Sequence, residues 1–427
     1  MKVLMFGWEF PPHITGGLGT ACYGLVKGLA KKNINVIFVV PRLFGGEDNR
    51  TAYLLSASDV EINERNFNYE EYWKNIKYYE IGSSLIPYVG PEDFLKLIGE
   101  ESTVNTHFDE KVFRAKYQFS GKYGESLYAE VSRYALIASV LAKEHAHDVI
   151  HAHDWLTYPA GMAAKKVSGK PLVVHVHATE FDRSGENINQ YVFDIERKGM
   201  EAADRVITVS HLTRRYVIER YGIPAEKVFT VHNAVEPVNT DEIHQNKGFP
   251  EKLVTFLGRI TFQKGPDYFV EAAYKVFKKD PNIRFVMAGS GDLLNRMVRR
   301  VAHYRMGHKF QFAGFLKGEE VYRLFNISDV YVMPSVSEPF GISPLEAMRS
   351  NVPVIISKQS GVSEVLQYAF KVDFWDVDAL ADAIYGLTHY DGLSKMFRRY
   401  GREEVDNLKW DNSAQHIIDI YNSLNNS

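Results

Sequence analysis

The chain has 427 residues, with 50 Lys and Arg against 53 Asp and Glu and 45% hydrophobic residues. That length exceeds one ordinary core and suits two α/β domains of roughly 200 residues each, while a net charge of −3 supplies no field to hold nucleic acid or an anionic membrane. A single cysteine, Cys22, excludes an internal disulfide and a Cys-rich metal centre and agrees with a cytoplasmic location. The opening Met1–Gly7 is far shorter than a signal-peptide core, and no later window offers the ~20 apolar residues of a span, so the chain is expected to be neither exported nor membrane-spanning.

Val3–Phe6 reads as a buried strand, the segment up to Gly19 as a long glycine-bearing loop, and Thr20–Lys32 as an amphipathic helix leading to a strand at Val36–Val40. The same rhythm returns at Val149–His151, Leu172–Val174, Arg205–Val209 and Val228–Val231. Such alternation predicts a parallel sheet. At about 43–134 the pattern breaks and aromatic residues crowd in, among them Tyr69, Trp73, Tyr88, Phe113, Tyr117, Phe119 and Tyr123. This stretch is expected to be an insertion in the first domain, its rings serving ordinary packing or stacking on sugars.

A polar run from Glu236 to Lys247 closes the first domain, taken as 1–240. Strands at Leu253–Leu257, Arg284–Ala288, Val330–Met333 and Val352–Ile356 then predict a second doubly wound domain over 241–405. The last segment, 406–427, puts Ile417, Ile418, Tyr421 and Leu424 on one helical face and is expected to pack back toward the first domain.

The strongest motif, Ser337–Ala347, follows an apolar strand and opens a helix. Ser343 as N-cap, Pro344 as first helical residue and Glu346 three positions after the cap make a capping box that accounts for Glu346 structurally. It leaves Glu338 unexplained, and Glu338 sits at the C-terminal end of a strand, where open α/β sheets place ligand-binding groups. The helix start also offers N–H groups to a phosphate. Gly258–Gly265 follows another strand and carries Arg259, a bidentate fork, and Lys264, a mobile point charge; together they suit a departing diphosphate, although either alone would pass for a solvated surface cation.

Gly16, Gly17 and Gly19 allow a ligand close to the backbone. A dinucleotide fingerprint there fails, because Cys22 takes the third glycine position and Val40-Pro41-Arg42 lacks a ribose-binding acid. His151-x-His153-Asp154 and His175-x-His177 invite a zinc hydrolase reading, but the rhythm is not that of an eight-stranded barrel, so substrate-contacting or structural histidines are expected and no metal. Asp376 and Asp378 read as a helix N-cap, and Arg296, Arg299, Arg300 and Arg305 as a solvated helix face.

With these residues assembled, the chain resembles the retaining glycosyltransferases of the GT-B fold, in particular the glycogen and bacterial starch synthases. The resemblance covers nearly the whole chain, resting on Gly16-Gly17-Leu18, His151–Trp155, Val231-His232-Asn233, Gly258–Gly265 and the pair Glu338 and Glu346, in the family's order. It implies an α/β architecture of two Rossmann-like doubly wound parallel-sheet domains facing a central cleft. It also implies that Arg259 and Lys264 hold a donor diphosphate, with Gln263, Gly16, Gly17 and the Phe340-Gly341-Ile342-Ser343 turn beside it. By the same resemblance Glu346 binds the ribose, Glu338 the transferred glucose, His153 a sugar hydroxyl near the reacting carbon, Asn233 lines that pocket, and Phe315 and Leu316 lie against the base.

The implied reaction moves glucose from ADP-glucose or UDP-glucose to the nonreducing end of an α-1,4-glucan with retention, without cofactor or metal, the leaving phosphate assisting the incoming hydroxyl. The chain departs from the starch synthases at Ile14-Thr15-Gly16-Gly17-Leu18, where they carry Lys-x-Gly-Gly-Leu. The departure leaves the donor base open and admits small-sugar, sugar-phosphate or lipid acceptors. A fold kept without its activity would instead make a glucan-binding protein.

Overall fold

A computed structural model describes residues 1–13, 16–63, 114–121, 127–236 and 246–424. Strands β1 (Lys2–Phe6), β2 (Asn35–Val40) and β3 (Tyr53–Ser56) precede a short antiparallel pair, β4 (Glu61–Asn63) and β5 (Arg114–Lys116). β6 (Val149–His153), β7 (Leu172–Val176), β8 (Arg205–Thr208) and β9 (Val228–Thr230) complete a parallel sheet of seven strands ordered β3-β2-β1-β6-β7-β8-β9. Register pairs Met5 with His151 and His153 with His175.

Both faces of this sheet are covered, which explains why its central strands read as unbroken apolar runs. Leu4, Phe6, Ile150 and Val174 pack under helices α2 (Leu127–Glu144), α3 (Tyr158–Ser168) and, beyond α4 (Glu180–Ser184), α5 (Gln190–Ala202). Val3, Met5, Val149 and Val173 face the other way, against α1 (Gly17–Lys31). α6 (His211–Glu219) closes the domain.

The second sheet is built from β10 (Lys252–Leu257), β11 (Ile283–Ala288), β12 (Phe310–Gly314), β13 (Val330–Met333), β14 (Val354–Ser357) and β15 (Phe370–Val372), in the order β12-β11-β10-β13-β14-β15. Helices α7 (Pro266–Lys279), α8 (Leu294–His303), α9 (Glu319–Ile327), α10 (Ser343–Arg349), α11 (Val377–His389) and α12 (Asp391–Val405) cover it. Strand order therefore reverses between β1 and β6 in one domain and between β10 and β13 in the other, and at such a reversal the loops part and leave a crevice at the C-terminal strand ends.

The last helix, α13 (Trp410–Leu424), lies on the first domain, where Gly24 and Gly28 of α1 let it come close. A Cβ on Gly24 would stand 2.2 Å from the Trp410 ring. No helix among the described residues is long and apolar enough to cross a membrane.

Two local expectations are corrected. α1 begins at Gly17 rather than Thr20, because Leu18 and Gly19 pack inward and outweigh the poor helix propensity of glycine. The 43–134 stretch is not wholly inserted: β3 extends the main sheet, and α2 begins within it. Tyr117, Phe119 and Tyr134 are core residues, with the Tyr134 hydroxyl donating to Val39 O at 2.7 Å, while Tyr69, Trp73, Tyr88, Phe113 and Tyr123 lie outside the described residues.

Candidate active site at the strand reversals

In the second domain the two loops at the reversal are tied to each other. Phe262–Lys264 forms a single tight turn closed by Gly265 at φ +65°, where a Cβ would meet Pro334 O at 2.0 Å, so the β10 loop presses directly on the β13 loop. Val336 N donates to Gln263 O at 2.9 Å, and Arg259 Nη2 donates to Gln263 Oε1 at 3.1 Å. Lys264 Nζ forms an ion pair with Glu338, whose Oε2 also accepts from Ser335 Oγ at 3.2 Å. Arg259, Gln263, Lys264 and Glu338 are thus one connected cluster, with Arg259 exposed at its edge and Glu338 buried.

The turn after Glu338 differs from the expected capping box. Ser343 is the first helical residue, Ile342 stands at the cap in helical conformation, and no side chain caps the helix. The Ser343 hydroxyl instead meets Tyr331 OH at 2.9 Å, because Gly341 at φ +98° swings the chain inward and Phe340 into the core. Glu346 loses the partner a capping box would have provided, and burial raises its pKa to about 7. Phe315 is 55% exposed and with Leu316 follows β12; Gly289 N donates to Gly314 O at 2.6 Å and Gly258 N to Ala288 O at 3.0 Å, so their loop adjoins that of Arg259.

In the first domain Gly16 and Gly17 open α1, at the end of the loop that leaves β1. Both are exposed, and a Cβ on either would meet nothing within 4 Å. A row of imidazoles runs across the ends of β6 and β7: His151 stacks on His153 at 4.4 Å, His175 on His177 at 4.3 Å, and His153 Nδ1 lies 2.9 Å from His177 Nε2. Tyr421 OH from α13 meets His151 Nδ1 at 2.5 Å. Burial first, and then the neighbouring imidazoles, hold His151, His153 and His175 well below the usual histidine range.

Ligand atoms of His151, His153 and His175 lie within 4.8 Å of one another. Their rings are stacked at interplanar angles of 15° to 29°, so their in-plane lone pairs run side by side instead of converging on one ion. Asp154 does not join them: at φ +60° it turns its Oδ1 to His177 N at 2.7 Å and Ala178 N at 3.3 Å. The set His151, His153 and Asp154 that the zinc reading requires is not assembled.

Contacts across the cleft were invisible in the motifs. Ser337 Oγ donates to Asp182 Oδ1 at 2.6 Å, joining the Glu338 loop to α4. Glu364 accepts from His211 N at 2.8 Å, Leu212 N at 2.7 Å and His232 Nε2 at 2.8 Å, so one carboxylate of the second domain clasps the start of α6 and the loop carrying Asn233. Asn233 is buried beside that clasp, and the neighbouring His232 ring is 6.1 Å from Phe340. Aspartates 376 and 378 are structural: Asp376 caps α11 through Ala379 N at 3.0 Å, and Asp378 pairs with Lys275. Arg300 pairs with Asp267 and Glu271, both on α7.

Comparison with known proteins agrees with this architecture. The Glycosyltransferase Family 4 model matches residues 103–238 and the Glycosyl transferases group 1 model residues 239–404. An uncharacterised glycosyltransferase of Methanocaldococcus jannaschii is 27% identical over 99% of this chain and 98% of its own length. The glycogen synthase of Mycobacterium tuberculosis is 23% identical over 99% of this chain and 94% of its own. The solved sucrose-phosphate synthase of Thermosynechococcus elongatus superposes with a TM-score of 0.70 at 18% identity, covering 99% of this chain and 98% of that one. The chain therefore has the GT-B fold, with a Glycosyltransferase Family 4 domain followed by a Glycosyl transferases group 1 domain.

Proposed function

We propose that the chain is a retaining hexosyltransferase that moves glucose from UDP-glucose or ADP-glucose to the nonreducing end of an α-1,4-glucan in the cytoplasm, without a metal ion. The observation that carries this reading is the linked cluster of Arg259, Gln263, Lys264 and Glu338 at the β10/β13 reversal. Breaking the bond from the anomeric carbon to the β-phosphate oxygen sends its electron pair to the phosphate. Arg259 and Lys264 neutralise the charge that grows there, the task a metal ion would otherwise perform. Glu338 meets the sugar as its ring becomes electron-poor, and the acceptor hydroxyl attacks the face the phosphate leaves, passing its proton to a phosphate oxygen. His153, kept neutral by burial, hydrogen-bonds a sugar hydroxyl without adding a positive charge beside that carbon.

Support for a glucan acceptor comes from the glycogen synthase relative, aligned over almost the whole chain. A sugar-phosphate acceptor is the second reading, favoured by the fold shared with a sucrose-phosphate synthase. The test is donor consumption with UDP-glucose and ADP-glucose in parallel, glycogen present, followed by the same assay after chelation and in Glu338→Ala. Turnover that survives chelation and falls at least a hundredfold in the variant is expected; turnover unchanged by Glu338→Ala would refute the assigned roles.

A further inference from the structure

Three side chains able to ligate a metal meet where the second domain touches the start of α6: His211 and His232 from the first domain and Glu364 from the second. Their ligand atoms all lie within 4.8 Å of one another. The backbone around each is fixed. His211 is the first residue of α6, whose cap Ser210 Oγ accepts from Thr213 N at 3.0 Å, and His232 O accepts from Ser413 Oγ of α13 at 2.7 Å. Glu364 ends the turn Gly361–Glu364, which reaches α6 because residue 361 has no side chain: a Cβ there would stand 2.5 Å from Ser210 Cβ. The same turn is bonded to the loop of Glu338, Gly361 N donating to Glu338 O at 2.9 Å.

This trio differs from the buried histidine row. The His211 and His232 rings meet at 78° with centres 5.4 Å apart, so their in-plane lone pairs are not held side by side, and His232 Nε2 already faces Glu364 Oε2 at 2.8 Å. A tetrahedral ion with bonds of about 2.0–2.2 Å needs about 3.4 Å between its ligand atoms, so a small side-chain rotation admits one between this pair. The imidazole proton then resides on His232 Nδ1, and Glu364 Oε1 keeps its bond from Leu212 N at 2.7 Å. Two imidazoles and a carboxylate suit zinc, with water at the fourth position. The His232 and Glu364 side chains are 29% and 21% exposed and His211 lies on the surface, so an ion enters from solvent without unfolding the chain.

We propose that His211, His232 and Glu364 form a zinc site that bolts the second domain to the start of α6. The ion is structural: its ligands are none of the Arg259, Gln263, Lys264 and Glu338 cluster, and the proposal stands whether or not the chain transfers glucose. Because the site is complete only while Glu364 is in place, zinc at a hundred times its Kd favours the clasped arrangement by about a hundredfold. His211 N and Leu212 N belong to the first turn of α6, where no carbonyl within the helix accepts them, so their exchange with solvent reports the departure of Glu364. The test titrates zinc chloride by calorimetry into the full chain stripped with chelator, and follows amide hydrogen–deuterium exchange at residues 211–212 with and without the metal. One site of micromolar or tighter affinity is expected, weakened at least about tenfold in His211→Ala and in Glu364→Gln, both surface positions. Zinc is expected to slow exchange at 211–212 at least about tenfold in the wild type and not in His211→Ala. Absence of such a site, unaltered affinity in either variant, or zinc binding that leaves the exchange unchanged would each overturn the proposal.

Discussion

Replacing His175 with leucine tests the histidine row at its least supported member. His175 is 2% exposed, neither ring nitrogen has a hydrogen-bond partner, and the centres of His151, His153 and His177 lie 5.4, 5.3 and 4.3 Å away. In the unfolded chain the imidazole titrates near 6.5, whereas burial and its neighbours hold the folded group well below that value. Its neutral form costs nothing in linkage above pH 6.5, but below it the unfolded state takes up a proton that the folded state refuses, and stability falls. Over the 1.5 units from pH 6.5 to pH 5 this amounts to at most about 2 kcal/mol for one proton.

Leucine removes that term together with two unmatched polar atoms, which individually cost about 1–3 kcal/mol when buried. At pH 8 the variant should be at least as stable as the wild type, and at pH 5 its advantage should have grown, by up to about 2 kcal/mol. Asp154 and Glu346, both raised to about 7 by burial, have the opposite pH dependence in the wild-type profile. Comparing the two proteins at the same pH cancels them. Urea unfolding followed by tryptophan fluorescence at pH 8 and pH 5 gives the difference. A gap that stays constant between the two pH values would refute the reasoning, since it would mean that His175 is protonated or bonded in the fold.

If Glu346 accepts from both hydroxyls of the donor ribose, the carboxylate holds them better than the acid, which keeps one free acceptor oxygen, so with a pKa of about 7 the donor KM should be higher at pH 6 than at pH 8, by up to about tenfold. Glu346→Gln should flatten that profile; a profile unchanged in the variant would remove Glu346 from the donor site. Gly24→Ala should cost about 1–3 kcal/mol in thermal unfolding, because the new methyl collides with Trp410 and must lift α13 from α1, and a neutral effect would contradict that packing. Glu364→Gln leaves one carbonyl oxygen for three donors from the first domain. A larger radius of gyration in solution scattering is expected, and an unchanged one would show that the clasp does not hold the domains together.

Central strands such as Val3–Phe6 and Leu253–Leu257 were legible because they are covered on both faces and read as continuous apolar runs. The edge strands were not: β12 alternates and is largely exposed, and β15 has three residues, too few to carry a period. The β10 and β13 loops could be read because their polar residues follow strands directly, and the structure joins them. Ser343 was misread as a cap because the pattern of a capping box is local, whereas the inward swing at Gly341 depends on Phe340 finding the core. Glu364 carries no motif at all; only the docking of the short 3₁₀ turn Gly361–Glu364 against α6 makes it a clasp. The histidine spacing was visible, but the turn of Asp154 away from the row is set by hydrogen bonds to the backbone after β7.

The grip on a diphosphate can be measured directly by titrating UDP, ADP and the corresponding nucleosides into the wild type and into Arg259→Ala and Lys264→Ala by calorimetry. The account predicts that at least one diphosphate binds far more tightly than its nucleoside and that each variant weakens the diphosphate tenfold or more while barely altering the nucleoside. Equal affinity for nucleoside and diphosphate, or variants that bind the diphosphate as the wild type does, would contradict it.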